Sequence, residues 1–142
     1  VLVTGSPELT LENGAGGIAA VYNSGSGTSN LTFRYTVAFG DASTDLDYQA
    51  TNSLALNLGT INDPADNISN LTLFAPGAAG SLGFNKGIII DTTPPTVSEV
   101  RSLKPNGYYK AGEVIDIDVI ISENVTVDLT GGTPVLTLNN IG

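Results

Sequence analysis

Residues Asn30-Leu-Thr-Phe-Arg-Tyr-Thr-Val37 alternate apolar and polar side chains without a break. In an extended chain this spacing puts Leu31, Phe33 and Tyr35 on one face and the polar side chains on the other. Such a pattern is typical of a β-strand with one face in a hydrophobic core. A second segment, Val114-Ile-Asp-Ile-Asp-Val-Ile-Ile121, has the same pattern. Its apolar face is predicted to consist of Ile115, Ile117, Val119 and Ile121.

Shorter strand patterns, separated by turn residues, fill the rest of the chain. They are predicted at residues 7–12, 18–22, 54–58, 71–74 and 88–90. Asn13-Gly14 and Pro76-Gly77 are among the turn signals between them. No segment keeps a helical period over ten residues, so the chain is predicted to be all-β, an antiparallel β-sandwich. The side chains predicted to be buried are Leu9, Leu11, Phe33, Tyr35, Ile115, Ile117 and Val119.

The composition disfavours most classes of enzyme. The 142 residues include no Cys and no His, which excludes a thiol nucleophile, a Cys zinc site and a Ser-His-Asp triad. No nucleophile–base pair is apparent, and we expect no enzymatic activity. Fourteen Asp and Glu against five Lys and Arg give a net charge of −9. This balance argues against binding to nucleic acid, and no apolar run predicts membrane insertion.

One sequence pattern occurs twice. Gly132-Thr-Pro-Val-Leu-Thr-Leu138 echoes Gly5-Ser-Pro-Glu-Leu-Thr-Leu11, and the two prolines are 127 residues apart. This offset predicts a tandem array in which the chain is cut out of register with its repeat. Residues 1–91 are then the larger, C-terminal part of one repeat, and 98–142 are the opening strands of the next. Residues 92–97 form a Pro-rich junction between them.

Several motifs resemble one family in their order along the chain. They are Tyr109-Lys-Ala-Gly112, Ser122-Glu-Asn-Val-Thr-Val127, Gly132 to Leu138, Ser24 to Gly27, Asp45-Leu-Asp-Tyr48 and Ile90-Asp-Thr-Thr-Pro-Pro95. This series is similar to the bacterial Ig-like tandem repeats of large surface adhesins, the haemagglutinin- and haemolysin-related repeats. The resemblance implies an Ig-like sandwich that acts as a structural spacer at the cell surface, outside the cell.

Acidic residues at turns suggest a calcium site. Asp63, Asp66 and Asn67 share one loop, and Asp91 opens the junction. With Glu123 they offer the oxygen ligands that calcium prefers, and an ion between domains would stiffen an array. The alternative is that these carboxylates are solvated and keep the protein soluble.

The leading functional expectation is a spacer or stalk repeat that contacts neighbouring copies head-to-tail by strand addition. When fully extended, residues 91–96 measure about 20 Å, whereas a strand of eight to ten residues measures about 26–33 Å. The opening strands are therefore expected to pack on another copy rather than on their own chain. The expected contact joins Ile115, Ile117, Val119 and Ile121 of one copy to Leu31, Phe33 and Tyr35 of the next. The alternatives are a pilus-like subunit that polymerises by strand exchange and a module that binds glycan or ice.

Overall fold

The chain divides into two compact units in the computed structural model, which describes residues 1–139. The first unit is Val1–Thr93, and the second begins at Pro94. The division falls within the Pro-rich residues 92–97. The last three residues of the segment 98–142, which is predicted to open a second repeat, lie outside the described residues. The assignment of the two units to successive repeats stays a prediction.

The first unit is built from short antiparallel strands. Its elements are β1 (Leu2–Thr4), β2 (Glu8–Leu11), β3 (Ile18–Ser24), β4 (Thr32–Arg34), β5 (Leu54–Ala55), β6 (Thr60–Asn62) and α1 (Leu82–Asn85). One sheet has the strand order β4-β3-β2-β5, and β1 pairs with β6 in another. Every pairing is antiparallel. The prediction of an all-β, antiparallel fold is therefore confirmed.

The core of this unit lies against the inner face of the four-stranded sheet. Its buried cluster consists of Leu11, Ala20, Leu46, Tyr48 and Ile90. Half-buried side chains pack against it, and they include Leu9, Phe33 and Tyr35. Thr32 and Arg34, which alternate with them along β4, are exposed. The face assignment is thus correct for Phe33 and Tyr35, because only one side of β4 meets the core, but Val37, on the same predicted face, is 50% exposed.

The strand predicted at residues 30–37 is observed only as β4, and three shorter predicted strands of the first unit also differ from the structure. The segment 54–58 ends early as β5, because Asn57 and Leu58 have φ angles of 46° and 63°, which break an extended chain. Residues 88–90 form no strand, and only Ile90 makes an isolated bridge, with Ser43. Residues 71–74 also form no strand, although the Leu73 N–H donates to the carbonyl of Thr51. A single bond fixes a segment locally but gives it no ladder.

The second unit contains one hairpin among its described residues. Strand β7 (Val97–Arg101) pairs antiparallel with β8 (Asp118–Ile121), with a register irregularity between Val97 and Glu99. The Arg101 guanidinium lies 3.7 Å from the Asp118 carboxylate and 3.4 Å from that of Glu99. Of the strand predicted at residues 114–121, only Asp118–Ile121 forms a strand in the structure.

None of the described residues of the second unit is buried. Ile115 and Val119, which the sequence predicts to be core residues, are 45% and 41% exposed. Ile117 and Ile121 are half-buried. The burial prediction for Ile115 and Val119 is wrong within this chain. A two-stranded sheet is a single layer, and no second layer covers it in the described part of the unit.

Candidate functional site

The loop of residues 63–67 is closed by its own hydrogen bonds. Asp63 Oδ1 accepts from the backbone N–H groups of Ala65 and Asn67, at 2.8 and 2.9 Å. Asp63 Oδ2 accepts from the Asn67 side-chain amide at 2.8 Å. The Asn67 side chain and backbone hold the pKa of Asp63 below its usual range. Both carboxylate oxygens of Asp63 are therefore occupied in bracing a turn in which Asp66 adopts a φ of 62°.

The other predicted calcium ligands lie elsewhere. Asp91 is exposed, and its carboxylate accepts from the Thr93 N–H at 2.9 Å. Glu123 is an exposed residue of the second unit. In residues 1–139 no three His, Cys, Asp or Glu side chains are grouped closely enough to hold a metal ion. The calcium site stays a prediction, and the structure brings together only its Asp63, Asp66 and Asn67.

A groove of about 550 Å³ lies on the first unit. The carboxylates of Glu12, Asp45 and Asp91 line it together with the apolar residues Ile89 and Ile90. These residues come from three separate stretches of the chain, so the groove could not be predicted from a single sequence motif. Among the residues predicted as ligands, Asp91 alone lines it.

A buried aspartate network supports the turn that follows β4. Asp41 Oδ1 accepts from the side chain of Asn13, and Oδ2 accepts from the Tyr35 hydroxyl and the Ala38 N–H. The Tyr35 hydroxyl bond, followed by the Ala38 and Asn13 bonds, lowers the pKa of Asp41. Burial, together with this bond and the charge of Asp41, raises the pKa of Tyr35 to about 12. Through Asp41, the network joins Tyr35 and Ala38, which follow β4, to Asn13, which follows β2.

A second buried aspartate organises the segment after residue 74. Asp47 accepts from the backbone N–H groups of Tyr48 and Gly77, both at 2.9 Å. Burial raises the pKa of Asp47, but these bonds and those from Ser81 and Gly83 together hold it below its usual value. Tyr48 adds a bond from its hydroxyl to the Phe74 carbonyl at 2.8 Å. Sequence reasoning identified Asp47 and Tyr48 only as part of a motif and missed this role.

The hairpin of the second unit presents an apolar face. Val100 lies opposite Val119, and Val97 lies opposite Ile121. Directly opposed residues of antiparallel strands share a face, and Val119 and Ile121 are two residues apart, so all four lie on one side. The other side carries the charged residues Glu99, Arg101 and Asp118 together with the half-buried Ile120. The hairpin is therefore amphipathic, and its apolar side is largely exposed.

The two copies of the repeated pattern have opposite environments. In the first copy Pro7 is fully buried and Leu11 is 4% exposed, because β2 pairs with β3 and β5. In the second copy Leu138 is 66% exposed, and residues 132–138 form no strand. The same sequence pattern therefore has two environments, a partly buried strand at residues 8–11 and an exposed segment without a strand at residues 132–138.

Comparison of the chain with protein-family models, with curated proteins and with solved structures finds no match. The only helix among the described residues, α1, has four residues. No helix in that part of the chain is long and apolar enough to cross a membrane.

Proposed function

We propose that this chain is a structural spacer repeat of an extracellular, fibrous, adhesin-type surface protein. Each unit is completed by apolar strands from a neighbouring copy, so that copies stack head-to-tail. The finer features of the proposal are an Ig-like sandwich topology and a junction stiffened by calcium. The work of such a repeat is mechanical, because it holds a distal binding element away from the cell.

The observation that carries the proposal is the second unit. Its described residues contain no buried side chain, yet fourteen of its large apolar side chains are exposed. Apolar side chains that remain exposed in this number, without any buried residue beside them, mark a surface that a partner can cover. An isolated two-stranded hairpin is at best marginally stable, so this segment needs a partner layer. The repeated pattern supports a partner of the same kind as the first unit.

The geometry of such a contact favours a fibre. The donating surface lies in the second unit and the accepting surface lies in the first. A stack of any length therefore still has one free donating surface and one free accepting surface. A contact between two different surfaces extends into a filament unless a rotation closes it into a ring. The acidic composition favours solubility of the stacked units.

Sedimentation velocity on the 142-residue chain, from dilute to concentrated solution, tests the proposal. We expect an open series of oligomers, which electron microscopy images as thin filaments. Val119→Lys should suppress the series by placing a charge on the apolar face of the hairpin, whereas Leu58→Lys, at an exposed position of the first unit, should not. A monomer at every concentration, or a series that stops at a dimer, would contradict the proposal. Antibody labelling of intact source cells tests the extracellular location.

A further inference from the structure

Strand β4 lies at one end of the four-stranded sheet and has a partner, β3, on one side only among the described residues. Phe33 in β4 and Tyr35 just after it are half-buried and pack against the core cluster, and Leu31, just before β4, is also half-buried. Its exposed side chain, Arg34, makes no ion pair with any described residue. An edge of this kind accepts an additional strand through its free N–H and carbonyl groups.

Residues 114–117 have the complementary properties. They run directly into β8, but they make no backbone hydrogen bond within the described part of the chain. Their apolar side chains alternate with Asp116, which is exposed and has no cationic partner among the described residues. The segment therefore has the sequence pattern of a strand, but it pairs with no other strand in the described part of the chain.

We infer that residues 114–121 of one copy add as an antiparallel strand to the β4 edge of the next copy, with Asp116 opposite Arg34. This inference rests on the proposed function and specifies its contact. The register is the one that places Ile117 opposite Phe33 and Ile115 opposite Tyr35. Opposed residues share a face, so the apolar pairs extend the core face of the sheet and the ion pair lies on its outer face.

Other registers fit less well. A slip of one residue places isoleucines opposite Arg34 and its polar neighbours, because side chains alternate with a period of two. A slip of two residues places either Asp118 or Val114 opposite Arg34. The Asp118 carboxylate already lies 3.7 Å from the Arg101 guanidinium, and Val114 forms no ion pair. A parallel strand with the same ion pair brings Glu113 beside Leu31, whereas the antiparallel strand brings Val119 there. Charge and alternation thus select one arrangement.

Charge reversal at the two positions tests the inference by sedimentation velocity. Arg34→Asp alone and Asp116→Arg alone should each weaken association roughly tenfold, because a like-charge pair replaces an attractive one. An equimolar mixture of the two variants should recover association, because every contact between a copy of one variant and a copy of the other pairs opposite charges at positions 34 and 116. The double variant R34D/D116R should recover it alone, which also shows that the substituted chains fold.

Two control variants make the same changes of charge elsewhere. Lys86→Asp matches Arg34→Asp in the first unit, and Glu123→Arg matches Asp116→Arg in the second; both residues are exposed. All samples contain EDTA, so that calcium binding plays no part. Association that is unaffected by the single variants, not recovered in the mixture, or equally weakened by the controls would overturn the inference and leave the spacer proposal intact. A wild-type chain that is monomeric at all concentrations would overturn both.

Discussion

Shortening a leucine at the same position of the two repeated patterns should cost much stability at the first position and little at the second. Leu11→Ala removes a 4% exposed side chain from the centre of the cluster that Leu46, Tyr48 and Ile90 form around it. Three buried carbon atoms are lost, for a transfer free energy of about 2.4 kcal/mol, and the cavity they leave raises the total to about 2.5–5 kcal/mol. The 93-residue unit should have a total stability of about 5–14 kcal/mol. The substitution therefore removes a large part of it.

Leu138→Ala is the matched variant, because Leu138 is 127 residues after Leu11 in the sequence pattern. Its side chain is 66% exposed, so only about a third of the transfer free energy is at stake and no cavity forms. We expect a loss below about 1 kcal/mol.

Urea unfolding in dilute solution measures both values. Far-ultraviolet circular dichroism and tyrosine fluorescence follow the transition, since the chain contains no Trp. A slope of about 1–3 kcal/mol per molar urea converts the Leu11→Ala loss into a fall in midpoint of about 0.8 molar or more. A loss below about 1 kcal/mol for Leu11→Ala, or equal losses for the two variants, would refute the assignment of their environments.

Four further predictions concern acid pH, alkaline pH, a turn and calcium. The pKa of Asp41 is lowered on folding, so stability should be complete above about pH 4 and fall as the pH drops below it; acid titration of the unfolding midpoint checks this. The pKa of Tyr35 rises to about 12 from an unfolded value of about 10, so stability should fall between pH 10 and 12, and Tyr35→Phe should reduce that loss and leave the part due to Tyr48, whose pKa burial also raises. Gly5→Ala should destabilise the first unit, because Gly5 has a φ of 67° and a Cβ there would lie 2.7 Å from the Gly59 Cα; Gly16→Ala, also at positive φ but with open space around it, separates steric clash from backbone strain in the same melting experiment. If calcium binds, the melting temperature should be higher with calcium than with EDTA, and identical curves would exclude the site.

The parts of the fold that could be predicted from sequence are those in which one side of a strand faces the core. Residues 30–37 have the predicted faces because Phe33 and Tyr35 meet the core cluster and Arg34 meets water. The segment 88–90 shows the limit of the method. Three isoleucines predict a strand, but Ile90 alone is buried and it pairs only with Ser43. A high β-propensity favours an extended segment, but the segment forms a strand only where a neighbouring strand can pair with it.

The polar networks depend on contacts that sequence patterns do not encode. Asn13 reaches Asp41 across 28 residues, and Asp47 reaches Gly77 across 30. Each is a loop residue whose partner is fixed only when the sheet is assembled. Alternation likewise identifies an apolar face at Ile115 and Val119 without specifying what covers it.

The most direct test of the central claim is amide hydrogen exchange on the 142-residue chain at two protein concentrations. If neighbouring copies complete each other, the amides of residues 114–117 exchange rapidly in dilute solution and gain protection in concentrated solution, together with amides along β4. Amides of β2, which already pair on both sides, should not change. Identical exchange of residues 114–117 and β4 at both concentrations would contradict the account.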